Sequence, residues 1–131
     1  PKGTEVMTVH GKHQKTTYFS KGGHYNFDKI LFLVDKSTAS CAEVLALSLK
    51  NHYSDKVKVI GSRTVGQGVG KSVNKYQKSG IEVGVVTSTW TVGEKDVNAL
   101  FDYIENDSGG RKFESEDDYF SAVVTILSEK E

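Results

Sequence analysis

Phe32-Leu33-Val34-Asp35-Lys36-Ser37-Thr38-Ala39-Ser40-Cys41-Ala42-Glu43-Val44 carries an apolar run into small and hydroxylated residues and straight on into a helix-forming segment. The run starts at Lys29 and ends at Asp35, and near-continuous apolarity over that length predicts a strand buried on both faces. From Ser40 to His52 the spacing predicts a helix, with Ala42, Val44, Leu45 and Leu49 toward a core. Val57 to Gly61 predicts a second buried strand, and strand, helix and strand at this spacing give a parallel crossover. Ser40 therefore stands where a strand turns into a helix. Backbone N–H groups at a helix N-terminus have no partner within the helix and carry partial positive charge. That position suits a nucleophilic serine whose tetrahedral intermediate must place an oxyanion. It equally suits an ordinary N-cap, the commoner task of a serine there.

Outward from this centre, Glu5 to His10 and Gln14 to Tyr18 flank Gly11-Lys12-His13 and predict a hairpin. Ser20 to His24 is a loop. Arg63 to Lys71 is glycine-rich, and Val73 to Gln77 and Ile81 to Thr91 are strands joined at Lys78-Ser79-Gly80. Gly93 to Gly110 is irregular or weakly helical. Ser115 to Ser128 is a C-terminal helix, capped by Ser115 or Glu116, with Phe120, Val123, Val124 and Leu127 inward. The order is mixed α/β, with no repeat, low-complexity tract or linker.

The 131 residues make one domain at most, able to bury roughly two thirds of the unfolded surface. Charge is balanced at 17 basic and 17 acidic residues, with no long block of either sign, which argues against nucleic acid or an anionic membrane as the main partner. No apolar run approaches the ~20 residues that span a bilayer, and no signal-peptide pattern is present. Cys41 is the single cysteine, so no internal disulfide forms, and no Cys/His spacing suggests zinc. A chain beginning at Pro1 is expected to be a processed or excised piece of a longer one. Gly66-Gln67-Gly68-Val69-Gly70-Lys71-Ser72 ends like a Walker loop, but its leading glycine is one position off and a strand-like run follows, so nucleotide binding is rejected.

Thr38-Ala39-Ser40-Cys41-Ala42-Glu43-Val44 resembles the S-A-S-A-S-E-I-type nucleophile segment of the C-terminal processing (tail-specific) serine peptidases. Val59 to Gly68 resembles that family's V-x-G-x-x-T-x-G-K-G segment, and Val85 to Gly93 its strand leading to a T-P-x-G turn. The resemblance spans roughly residues 1 to 128. It implies a crotonase-like/ClpP-like α/β fold, a mixed sheet with β-β-α elements, of which residues 1–131 form a partial, C-terminal part of the catalytic domain. It also implies that Ser40 is the nucleophile and that the Cys41 backbone N–H is one oxyanion donor. The second donor, a glycine in an earlier segment of the family, has no counterpart here.

The family lysine base falls on Gln67, and a glutamine does not accept a proton at neutral pH. Lys71 is the substitute within the chain, though an extended strand sets it roughly 13 Å further along. Related tricorn-like enzymes use a histidine base and a later glutamate. Ile104-Glu105-Asn106-Asp107-Ser108-Gly109 faintly resembles the segment holding that glutamate, which makes Glu105 a candidate orienting carboxylate and places the histidine upstream of Pro1. His10, His13, His24 and His52 match no family base position and read as structural or solvated, His52 suiting a helix C-terminus. Trp90, Phe101, Tyr103 and Tyr119 are core aromatics or the wall of a peptide groove.

The expected function is a serine endopeptidase that cleaves protein tails through a Ser40 acyl-enzyme, with no metal or cofactor. The expected substrate is a polypeptide with an apolar C-terminal tail, not nucleic acid. The piece alone is expected to be inactive, and the resemblance implies an exported or cell-envelope protein. One alternative is a non-catalytic pseudo-peptidase that binds peptide or a protein partner. Another is an unrelated small α/β domain in which Ser40 only caps a helix.

Overall fold

The computed structural model describes residues 2–23, 26–105 and 113–128, the side chain of Glu105 excepted. Its strands are β1 (Glu5–Gly11), β2 (Lys15–Phe19), β3 (Ile30–Val34), β4 (Val57–Gly61), β5 (Val69–Tyr76), β6 (Ile81–Thr91) and β7 (Ile104–Glu105). Its helices are α1 (Cys41–His52) and α2 (Glu116–Ser128), with a 3-10 helix at Val97–Tyr103. The strands form two sheets: an antiparallel sheet ordered β2-β1-β6-β5 and a parallel sheet ordered β3-β4-β7. Helix α1 packs on β1 of the first sheet, on β4 of the second and on the 3-10 helix, so it joins the two layers. The buried cluster lies around it: Val34, Val44, Ala46, Leu47, Val59, Trp90, Val92, Val97 and Leu100.

The β3–α1–β4 crossover forms where the sequence predicts it, with β3 and β4 parallel from Ile30↔Val57 to Val34↔Gly61. Burial of β3 differs from expectation. Only Val34 is buried and Leu33 is 49% exposed, because β3 is the edge of its sheet. The doubly covered position belongs to β4, where Val57, Val59, Ile60 and Gly61 are all buried. At its C-terminal end a Cβ on Gly61 would overlap the Val34 carbonyl oxygen, and its φ of 135° is one that glycine adopts freely. Helix α1 likewise turns a different face inward. Glu43, Val44, Ala46, Leu47 and Ser48 are buried, whereas Ala42 and Leu45 are exposed and Leu49 is half-buried.

The predicted hairpin of β1 and β2 and the full length of β6 are observed. Strand β5 starts four residues earlier than expected, at Val69. Pairing of Val69 with Thr89 and Gly70 with Ser88 carries the glycine-rich stretch into the ladder despite its weak propensity. The irregular stretch after Gly93 contains the 3-10 helix, capped by the Asp96 side chain accepting from Asn98 N–H at 2.9 Å. Ser115 begins α2: its N–H donates to the Asp118 carboxylate at 2.8 Å while its hydroxyl accepts from Asp118 N–H. The rotation of α2 also differs from expectation. Phe120, Val124 and Leu127 are exposed and Ala122 is buried. Tyr119 sets that rotation, donating its hydroxyl to the Val34 carbonyl at 3.0 Å and packing its ring against Phe113 at a tilt of 40°.

Candidate active site

The approach to Ser40 is built by Asp35. One oxygen of its carboxylate accepts from the Ser37 N–H (2.9 Å) and hydroxyl (2.6 Å) and from the Thr38 N–H (3.1 Å), while Thr38 Oγ1 accepts from the Asp35 N–H. These bonds, the Ser37 hydroxyl first, hold the Asp35 pKa below its ordinary value. Short side chains that bond their own backbone make the turn between β3 and α1 rigid without a core of its own.

Ser40 itself is the one non-glycine residue with positive φ among the described residues, at φ 53°, ψ −118°. It occupies the N-cap position, yet an ordinary cap has extended backbone and bonds the helix through its side chain. Ser40 lacks the extended backbone, and the bond that ties it most firmly to α1 is the reciprocal one of a capping box, its N–H donating to the Glu43 carboxylate. Backbone in this region costs about 1–3 kcal/mol and persists only when neighbours over-determine it.

Glu43 does much of the over-determining. It is fully buried, one turn into α1, and its carboxylate accepts four hydrogen bonds. One comes from Ser40 N–H at 2.8 Å. The others come from the loop after β4: Thr64 hydroxyl at 2.6 Å, Gly66 N–H at 2.7 Å and Gln67 N–H at 2.9 Å. Gly66, at φ 77° against the Phe101 ring, lets two successive N–H groups converge on the one carboxylate. Val65 N–H adds a bond to the Thr38 carbonyl at 2.9 Å. The serine turn and the 64–67 loop are therefore one unit. This role of Glu43 was not assigned from the sequence, although Ser40 followed three residues later by Glu43 is a capping-box pattern that signals it.

Ser40 and Cys41 open into a pocket of about 360 Å³, walled by β1, α1, β5 and β6 through Met7, Val9, Val44, Leu45, Gly70 and Trp90 among others. Apart from Ser40 and the thiol of Cys41, the polar side chain lining it is Ser88. Trp90 forms a buried wall and donates its indole N–H to the Gln67 carbonyl at 3.1 Å. Among the described residues no acceptor is bonded to the Cys41 N–H at the start of α1, and the thiol beside it is exposed and free.

Gln67 is held by its backbone at both N–H and carbonyl. Lys71 is exposed on β5 opposite Val86 and does not line the Ser40 pocket. Glu105 pairs with Ile60 through β7, and its side chain, like Asn106 to Gly109, lies outside the described residues. His10 bonds Thr91 Oγ1 at 3.0 Å, His52 bonds the Glu5 carbonyl at 2.6 Å and His13 is exposed, while His24 lies outside the described residues. Among the described residues no group of three or more His, Cys, Asp or Glu is arranged to hold a metal, and no helix is long and apolar enough to cross a membrane. The glycine-rich loop leads into strand β5, not into a helix.

Comparison with solved structures finds a similar fold in two proteases and in a lipoprotein. A photosystem II D1 C-terminal processing protease is 26% identical over 73% of this chain and 25% of its own, with a TM-score of 0.56. A putative S41 protease from Bacteroides fragilis covers 95% of this chain and 36% of its own at 17% identity and a TM-score of 0.67. A lipoprotein from Streptococcus agalactiae covers 99% of this chain and 46% of its own at 18% identity and a TM-score of 0.60. The chain thus spans from a quarter to under a half of the length of these three structures. Among curated proteins none matches it. The family model of peptidase family S41 matches residues 1–107, which hold the Ser40 turn, the Glu43 hub and the whole pocket: the chain belongs to peptidase family S41.

Proposed function

We propose that residues 1–131 are the C-terminal part of a crotonase-like/ClpP-like catalytic domain and that Ser40 is the nucleophile of a serine endopeptidase. The observation that carries this reading is the backbone of Ser40, held at positive φ by its neighbours at the mouth of an apolar pocket. The Ser40 oxygen attacks the scissile carbonyl carbon while its proton passes to a base. The oxyanion is met by the Cys41 N–H, reinforced by the positive end of α1. Collapse of the tetrahedral intermediate releases the protonated amine and leaves an ester on Ser40, which water then hydrolyses.

The substrate class is polypeptide, and the apolar pocket beside Ser40 supports an apolar residue at the bond cleaved. Likeness to a C-terminal processing protease supports action on C-terminal tails, and likeness to a lipoprotein supports an exported or cell-envelope protein. No lining residue of the pocket is a base at neutral pH. Lys71 follows the lining residue Gly70 along β5 but stands on the strand's other face, so it serves as the base, with Glu105 an orienting carboxylate, only if that stretch of β5 turns over; otherwise the base comes from the rest of a parent chain. That same gap favours a second reading, a non-catalytic relative that binds peptide in the pocket.

A fluorophosphonate and intact-mass measurement decide between them. Under the peptidase reading the unmutated protein and Cys41→Ala, each with the rest of the parent chain present, gain one adduct, and Ser40→Ala gains none. Absence of an adduct from all three, with the fold intact by circular dichroism, sinks the nucleophile and leaves the peptide-binding reading.

A further inference from the structure

Every residue from Lys71 to Thr87 is exposed, so the outer part of the β5–β6 hairpin stands as a two-stranded arm. The register settles which side chains share a face. Tyr76 opposes Ile81, Asn74 opposes Val83, Ser72 opposes Val85 and, across an irregularity beside Lys71, Gly70 opposes Ser88. Directly opposed residues lie on one face, and faces alternate along a strand. Tyr76, Ile81, Val83 and Val85 therefore lie on the face that Gly70, Ser88 and Trp90 continue inward. That inner part lines the Ser40 pocket.

Charge is segregated along the arm. Lys71, Lys75 and Glu82 share the opposite face, the latter two in an ion pair at 2.8 Å. The paired residues of the face running into the pocket carry no charge. Yet Tyr76, Ile81, Val83 and Val85 are 58, 57, 41 and 49% exposed. A two-stranded ribbon is marginal in water by itself, and an uncharged apolar row in the open marks a surface that a partner covers.

We propose that this face is a docking track for an extended stretch of polypeptide substrate, apolar at alternate positions, that leads into the Ser40 pocket. The track rests on the reading of Ser40 as the nucleophile, because its continuity with that pocket identifies the occupant. Ser88 and Ile81 are seven positions apart on β6, about 23 Å. A substrate engages the track only if it extends about seven residues from the reacting bond, and a small reagent reaches the pocket alone.

Ile81→Asp and Val83→Asp put a charge on the track, and Val73→Asp puts one on the opposite face. All three positions are exposed, so the substitutions leave the fold intact, which circular dichroism checks. Each is made in the full chain carrying Ser40→Ala. Anisotropy then reads the binding of a fluorescein-labelled peptide about 12 residues long, enough to cover the track, with leucine alternating with serine. Binding weakens about tenfold in the two track variants and less than about twofold in Val73→Asp. Equal weakening in all three, or none in any, overturns the track. A dimer in light scattering that Val83→Asp separates, with peptide binding unchanged, makes the face a subunit interface and overturns it too. Fluorophosphonate labelling of the parent chain with Ser40 present keeps the two readings apart. Track-dependent binding without labelling upholds the track and removes the nucleophile, and labelling without track dependence does the reverse.

Discussion

At the scale of residues, Glu43 holds the site together. A buried carboxylate accepting from Ser40, Thr64, Gly66 and Gln67 leaves three backbone N–H groups without partners when it is removed. Glu43→Ala should lower stability by about 3 kcal/mol or more, measured by denaturant unfolding. Glu43→Gln keeps the shape but presents two hydrogens to neighbours that donate, and should lose adduct formation at Ser40 as well as stability. Asp35 gives a prediction in pH. Its pKa is depressed in the fold, so its stabilising contribution is complete above the ordinary value of 3.8 and is lost as pH falls through the lower folded value. Amide exchange at Ser37 and Thr38 should accelerate in that acid window, ahead of exchange in α1. The serine and its turn were legible in the sequence because strand, small residues and helix follow one another. The Ser40 backbone angle was not, since nothing local distinguishes a strained serine from a relaxed cap.

At the scale of elements, positions follow from hydrophobic spacing more faithfully than faces do. Both helices of the sequence reading exist within a residue of their expected ends, yet each turns a different stripe inward. In α1 the apolar Leu45 is exposed because that side of the helix faces the pocket, while Glu43 is buried by its bonds to a loop some twenty residues on. In α2 the hydroxyl of Tyr119, fixed to the Val34 carbonyl, rotates Ala122 inward and Phe120 outward. Burial, helped by the charges of Asp35 and Asp118 and opposed by the Ser62 hydroxyl, raises the Tyr119 pKa above its ordinary value of 10.0. Its contribution is therefore complete below pH 10.0 and is lost as pH rises through the folded value. Tyrosinate absorbance and helical ellipticity should change together there, and Tyr119→Phe, costing about 1 kcal/mol, should uncouple them. Gly61 makes a sharper test. Gly61→Ala collides with the Val34 carbonyl at a φ of 135° and should cost about 3 kcal/mol. Gly80→Ala, at φ 70° with open space around it, should cost about 1 kcal/mol.

At the scale of the molecule, the sequence supports a mixed α/β order but not the division into two sheets. Pairing of β1 with β6 joins Thr8 to Thr91, and no local pattern announces a contact across so much chain. That pairing nonetheless makes the pocket, since Val9 and Trp90 are neighbours through it. The site is thus a meeting of distant strands around one readable turn, which is why the Ser40 turn is legible in the residues and the walls of its pocket are not. Trp90 is the only tryptophan in the chain, and it stands in the wall of the Ser40 pocket with its indole tied to the loop that Glu43 holds. The protein therefore carries its own optical reporter. A ligand entering the pocket displaces water from beside the indole and should change its emission, and Ser88→Trp would add a second emitter at the mouth of the arm.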